Sequence, residues 1–134
     1  DNLVMNKDAS PSKTILCVDD TPTNLELLNA VLRPFYHVKL VNSGKKALSL
    51  IAKQHQEIDL VLLDVMMPEL DGISVLERIR DHDALVDLPV VMLTSRNREE
   101  DIVQALDAGA DDFVAKPFSE VELVSRVEKV LDER

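Results

Sequence analysis

The sequence predicts a doubly wound α/β domain built on a five-stranded parallel sheet, and three observations predict it. Short runs of β-branched and apolar residues alternate five times with amphipathic stretches, the pattern of consecutive βα units. One run, Leu60-Val61-Leu62-Leu63, is apolar at successive positions, as a strand covered on both faces must be. The chain has 134 residues and 46% hydrophobic content, enough for one sizeable core and too short for two ordinary domains.

Residues 1–12 are polar, with Pro11 between two serines, and are expected to form a flexible lead-in to a domain over 13–134. The first strand is placed at 14–18. The helix after it carries Leu25, Leu28, Val31 and Leu32 at helical spacing, with Pro22 in its first turn after Thr21 as cap. A strand at 37–41 precedes a helix on Ala47, Leu48 and Ile51, and a strand at 59–63 precedes one on Ile73, Leu76 and Ile79. The fourth strand, 89–93, leads to a helix with Ile102 and Leu106, which Gly109 is placed to end. The fifth, 112–115, leads to a helix on Val124, Val127 and Leu131, opened by the capping box Ser119-Glu120-Val121-Glu122. Right-handed crossovers between parallel strands then give the flavodoxin-like order 2-1-3-4-5, with helices on both faces.

Composition removes several function classes. Asp and Glu outnumber Lys and Arg 25 to 15, and the net charge of −10 repels phosphate backbones, which argues against direct nucleic-acid binding. The longest apolar run breaks at Asp64 and ends at Met67, too short for a membrane span or a secretory h-region, so a cytoplasmic protein is expected. Cys17 is the single cysteine and lies in an apolar run, where a buried inert thiol is expected. Only Phe35, Tyr36, Phe113 and Phe118 are aromatic, few rings with which to stack a flavin or a base. The three histidines, His37, His55 and His82, show no spacing that suggests a metal site or a phosphate donor.

In such sheets ligands bind beyond the carboxyl ends of the strands, between the first and third. Asp19-Asp20, Asp64, Thr94-Ser95 and Lys116-Pro117 stand at those ends. Singly, each has an ordinary explanation: an aspartate after a strand caps a turn, a threonine fills β surface, a lysine is solvated. Together they are harder to explain that way. Three gathered carboxylates repel one another unless a cation sits among them, and oxygen ligands without His or Cys favour Mg²⁺, or alternatively Mn²⁺. A carboxylate at Asp64 can attack phosphorus to give an acyl phosphate. Lys116 supplies a second positive charge, and the Thr94 hydroxyl can donate to a phosphoryl oxygen.

Ile15-Leu16-Cys17-Val18-Asp19-Asp20, Asp64-Val65-Met66-Met67-Pro68-Glu69-Leu70-Asp71-Gly72, Leu93-Thr94-Ser95 and Gly109-Ala110-Asp111-Asp112-Phe113-Val114-Ala115-Lys116-Pro117-Phe118 closely resemble receiver domains of bacterial response regulators. The resemblance runs from Thr14 to about Leu131. It implies that Asp64 is the phosphoacceptor, that Asp20, Asp64 and the Met66 backbone carbonyl bind Mg²⁺ directly, and that Asp19 acts mainly through water. It also implies that Thr94 and Lys116 contact the phosphoryl group and that the Lys116-Pro117 peptide is cis. Thr94 and Phe113 would be the switch residues, remodelling the face made by the fourth helix, fifth strand and fifth helix. Such a chain is a signalling switch rather than an enzyme. Its phosphodonor would be a histidine kinase or phosphotransfer protein, and its output a downstream effector domain or protein. A phosphorylation-dependent homodimer is left open.

Two positions that vary within that family, here Met66 and Arg96, offer no carboxylate or amide to orient a water, so slow self-dephosphorylation is expected. The same Met66 argues against an Asp-nucleophile phosphatase, whose acid/base carboxylate stands two residues after the nucleophile. A flavodoxin-like redox module would need a Thr/Ser-rich phosphate loop after the first strand, and none is present. A pseudo-receiver that docks partners without phosphorylation would be expected to lack some of these five side chains, and all are present.

Overall fold

In the computed structural model, which describes residues 13–95 and 99–133, strands and helices alternate from end to end. They are β1 (Thr14–Val18), α1 (Pro22–Leu32), β2 (His37–Val41), α2 (Gly44–Gln54), β3 (Leu60–Asp64), α3 (Gly72–Arg80), β4 (Val90–Ser95), α4 (Glu99–Asp107), β5 (Asp112–Lys116) and α5 (Glu120–Asp132). Single 3₁₀ turns lie at His55–Glu57 and Asp83–Leu85. The sheet order is β2-β1-β3-β4-β5 and every pairing is parallel, as the sequence predicts. The expected lead-in, 1–12, and Arg96 lie outside the described residues.

Strand alternation divides the core into two layers. Leu16, Val18, Val61 and Leu63 face Ala47 and Ile51 of α2, Val75, Leu76 and Ile79 of α3, and Ala105 of α4. Ile15, Cys17, Leu60 and Leu62 face the other way, against Leu28, Val31 and Leu32 of α1 and Leu123, Val127 and Val130 of α5. β3 is buried at all five positions, which is why its run is apolar without alternation. Each fully buried Leu or Ile contributes about 1.5–3 kcal/mol of transfer free energy, so the central strands anchor the residues that follow them. Burial, and secondarily the charge of Asp19, pushes the Cys17 thiol up to about 12, so the thiolate is suppressed there.

Three strands differ from the sequence expectation, at five ends, each by one or two residues. β3 begins at Leu60 because Asp59 serves another purpose: its carboxylate accepts the Thr14 N–H at 2.7 Å. β3 and β5 include Asp64 and Lys116 themselves, since parallel pairing continues through Asp64 with Leu93 and Ser95 with Lys116. β4 correspondingly starts at Val90 and runs on to Ser95. Asp64 and Lys116 therefore sit on the last rungs of the ladder, where the backbone is fixed.

Helix ends follow the punctuation with two changes. Thr21 is the N-cap of α1 by position, but its side chain makes no capping bond. Asp71-Gly72, a pair that commonly forms turns, here opens α3, with the Asp71 carboxylate accepting the Ser74 N–H at 2.8 Å. Ser119 accepts from the Glu122 N–H at 3.0 Å, and Glu122 turns to Arg126 at 3.7 Å. Gly109, at φ 107, ends α4 in a Schellman pair, Ala110 N–H to Ala105 O at 2.9 Å and Gly109 N–H to Leu106 O at 3.1 Å. Among the described residues no helix is long and apolar enough to cross a membrane.

Candidate functional site

The carboxyl ends of β1, β3, β4 and β5 bring Asp19, Asp64, Thr94 and Lys116 to one edge of the sheet. Asp19, Asp64 and Thr94 are buried, at 0%, 4% and 2% exposure, an unusual position for two acids. Lys116 makes it tolerable. Its ammonium donates to Asp19 Oδ2 and to Asp64 Oδ1, each at 3.0 Å. Asp19 is further satisfied by the Thr21 N–H at 2.9 Å and by the Asn24 amide, 3.2 and 3.4 Å from its two oxygens. The Met66 N–H donates to Asp64.

These contacts do not fully offset burial. Desolvation first, and the charge of Asp19 second, push the Asp64 carboxyl up to about 6, against the opposing pull of Lys116 and the Met66 N–H. For Lys116, burial acts to lower its basicity, but the hydrogen bonds and charges of Asp19 and Asp64 outweigh it and hold the ammonium above its usual range. Among the described residues, one ammonium thus faces two buried carboxylates. Asp19, Asp20 and Asp64 each offer a carboxylate oxygen, all within 4.8 Å of one another. An all-oxygen set of that size could hold a hard divalent cation.

The loop after Asp64 is shaped by close backbone approach. Gly72 packs on Asp64 itself: an added Cβ would overlap the Asp64 carbonyl oxygen and stand 2.9 Å from Val65 Cα. The Gly72 N–H donates to Val65 O at 2.9 Å, closing the loop on the end of β3. Glu69 reaches φ 68 within a tight turn that joins Leu70 N–H to Pro68 O at 2.8 Å. Met66 stands open at 56% exposure.

Thr94 is buried, yet among the described residues its hydroxyl makes only a 3.5 Å contact, with Ser95 O, at the limit of a hydrogen bond. Register places Thr94 beside Ala115 and Met92 beside Phe113, so the methyl of Ala115 separates Phe113 from Thr94 along one face of the sheet. The Lys116-Pro117 peptide is cis, in keeping with the resemblance.

Residues 15–128 match the response regulator receiver domain. The chain belongs to that family. Response regulator GtcR of Aneurinibacillus migulanus is 40% identical over 121 residues, 90% of this chain and 48% of the relative. A probable cyclic di-GMP phosphodiesterase of Vibrio cholerae serotype O1 is 41% identical over 114 residues, 85% of this chain and 25% of that protein. The signal receiver domain of a signal transduction histidine kinase from Syntrophus aciditrophicus superposes with a TM-score of 0.83 at 34% identity, covering 91% of this chain and 92% of that one. The receiver thus spans half or less of the length of these curated relatives, 48% and 25%. The chemistry named for the Vibrio relative is that protein's.

The structure brings together Asp19, Asp20, Asp64, Thr94 and Lys116, and places Phe113 two residues before Ala115, the β5 neighbour of Thr94. Sequence reasoning did not single out Asn24, which holds Asp19, or two arginines away from the site. Arg80 ties α3 to the Gly109, Leu85 and Leu88 carbonyls and to Asp111. Arg126 ties α5 to β5. Asn24 had one available signal, its place five residues after Asp19 in the first turn of a helix; the arginines had none.

Proposed function

We propose that Asp64 of this receiver accepts a phosphoryl group from the phosphohistidine of a histidine kinase or phosphotransfer protein. The observation that carries the reading is a buried aspartate at a strand end, bonded to Lys116 and within carboxylate reach of Asp19 and Asp20. An Asp64 oxygen forms the new bond to phosphorus as the bond from phosphorus to the histidine nitrogen breaks. Lys116 holds one phosphoryl oxygen by charge, and Thr94, whose hydroxyl has only a long contact to give up, donates to another.

Asp20, Asp64 and the Met66 carbonyl would hold Mg²⁺, or Mn²⁺, with Asp19 positioned behind a water. When bound, the cation neutralises charge on the transferring oxygens. The residues fit it: the donors are hard oxygens, gathered within 4.8 Å of one another. Asn24 and Lys116 keep Asp19 oriented in either state.

The signal leaves through Thr94 and Phe113, as the hydroxyl draws toward the phosphoryl group and the ring turns inward over Ala115. That shift remodels the face of α4, β5 and α5 for an effector domain or protein, and for a second copy of the chain where the regulator dimerises. The phosphoryl group selects between packings already accessible to the fold. A cytoplasmic location suits this chemistry. The test is incubation with acetyl phosphate and Mg²⁺, read as intact mass. One added phosphoryl group that needs the metal and is absent in Asp64→Asn supports the reading. No added mass on a folded protein refutes it.

A further inference from the structure

The edge strand β5 is gripped from the opposite side of the sheet. Phe113 packs toward the layer of α2, α3 and α4, whereas α5 belongs to the other layer. Arg126 of α5 nevertheless reaches round the outer edge of β5. Its Nη1 donates to Asp112 Oδ1 at 2.8 Å and to the Phe113 carbonyl at 3.3 Å. The guanidinium carbon lies 5.7 Å from the centre of the Phe113 ring, within cation–π range, and Glu122 steadies the group from its own helix at 3.7 Å. One side chain thus holds the backbone, the ring and the preceding carboxylate of the same two residues.

We propose that Arg126 is a latch on Phe113, keeping its ring at the outer edge of β5 and so setting how readily the receiver switches. The inference rests on the reading of Thr94 and Phe113 as the switch pair and adds the residue that opposes it. Phe113 and Thr94 share a face, separated by the methyl of Ala115. Moving the ring toward Thr94 therefore draws it off the guanidinium. Arg126 is a third exposed, at 36% for its side chain, so its hold is screened and modest, as a latch that phosphorylation can release must be. Because a ligand shifts two states only by its differential affinity, weakening the resting arrangement must tighten binding of whatever favours the other. Arg126 is a positioning residue here, far from the transferred group in role and acting through Phe113.

The test uses the full chain with Mg²⁺ and beryllofluoride, an inert phosphoryl mimic. Arg126→Ala is expected to bind the mimic about fivefold more tightly, given the weak cation–π and ion-pair contacts removed. In the ligand-free variant, nuclear Overhauser contacts between the Phe113 ring and the Ala115 methyl should strengthen. Arg126→Lys, which keeps the charge but loses the planar fork, should fall between. Asp112→Asn removes the anchor without touching α5 and should move both readouts the same way, which guards against a folding defect in either variant. Unchanged or weaker binding together with an unmoved ring would overturn the latch. If the wild-type protein takes no beryllofluoride, the reading of Asp64 fails instead. The ring contacts in the ligand-free variants then decide the latch: strengthened, it stands; unmoved, it falls.

Discussion

The Lys116 ammonium stands 3.0 Å from Asp19 Oδ2 and 3.0 Å from Asp64 Oδ1, bridging carboxylates that β1 and β3 bring to neighbouring strand ends. Removing it leaves two buried acids facing each other. Breaking a fully buried pair costs about 3–5 kcal/mol, and partial exposure of the lysine, 23%, reduces that. Lys116→Ala is therefore expected to lose about 2 kcal/mol at pH 7 without metal, measured by urea unfolding. Added Mg²⁺ should restore part of the loss, and phosphorylation by acetyl phosphate should fall sharply in the same variant.

The Asp64 carboxyl, at about 6 in the fold against 3.8 unperturbed, gives a pH-dependent stability with a definite sign. An acid whose folded value is raised favours folding most below the unfolded value and loses that contribution as pH rises through the folded one. Metal-free wild-type protein should therefore weaken between about pH 4 and pH 6 relative to Asp64→Asn. Above pH 6 the variant should be more stable by about 3 kcal/mol. Matched chemical denaturation curves across that range check it; parallel curves for the two proteins would sink it.

The proposed cation site would depend on the same group, since a carboxylate must be ionised to act as a ligand. Mg²⁺ affinity, followed by thermal shift, should be flat above about pH 7 and fall by about tenfold per unit below the Asp64 value. Asp64→Asn should bind more weakly and lose this dependence.

Gly72 lies against the Asp64 backbone with no room for a side chain. Gly72→Ala must displace either α3 or the end of β3, a strain of about 3 kcal/mol or more by analogy with overpacked cores. Its unfolding midpoint should drop accordingly. Whatever folds should phosphorylate slowly, because the displaced atoms carry the acceptor.

Much of this was legible in the chain. The apolar runs fix where strands lie because a strand buried on both faces has few polar choices, and topology then gathers Asp19, Asp64, Thr94 and Lys116 at one end. Strand limits were less legible, because Asp64 and Lys116 read as loop residues by polarity while backbone pairing includes them. Asp71-Gly72 reads equally well as a turn or a helix start; only the Ser74 N–H decides it. Arg80 and Arg126 left no trace in the pattern, since each bonds carbonyls or carboxylates brought close by folding rather than by spacing.

Met66 stands 56% exposed two residues after Asp64, the proposed acceptor, and carries no group to orient an attacking water. The phosphorylated protein should therefore decay slowly, and Met66→Ala should accelerate decay by opening the approach to phosphorus. Following loss of label after removal of donor checks this; an unchanged rate would leave Met66 without a role in phosphoryl lifetime. Arg96 provides a companion variant for the same measurement.

Of the three carboxylates at the strand ends, Asp64 is the one proposed to become an acyl phosphate. Borohydride reduces an aspartyl phosphate to homoserine, so phosphorylated protein treated in this way and mapped by peptide mass spectrometry reports the acceptor directly. Homoserine at position 64, with Asp19 and Asp20 unmodified, is the predicted result. Homoserine at either of those two positions, or at none in protein that carries phosphate, would contradict the account.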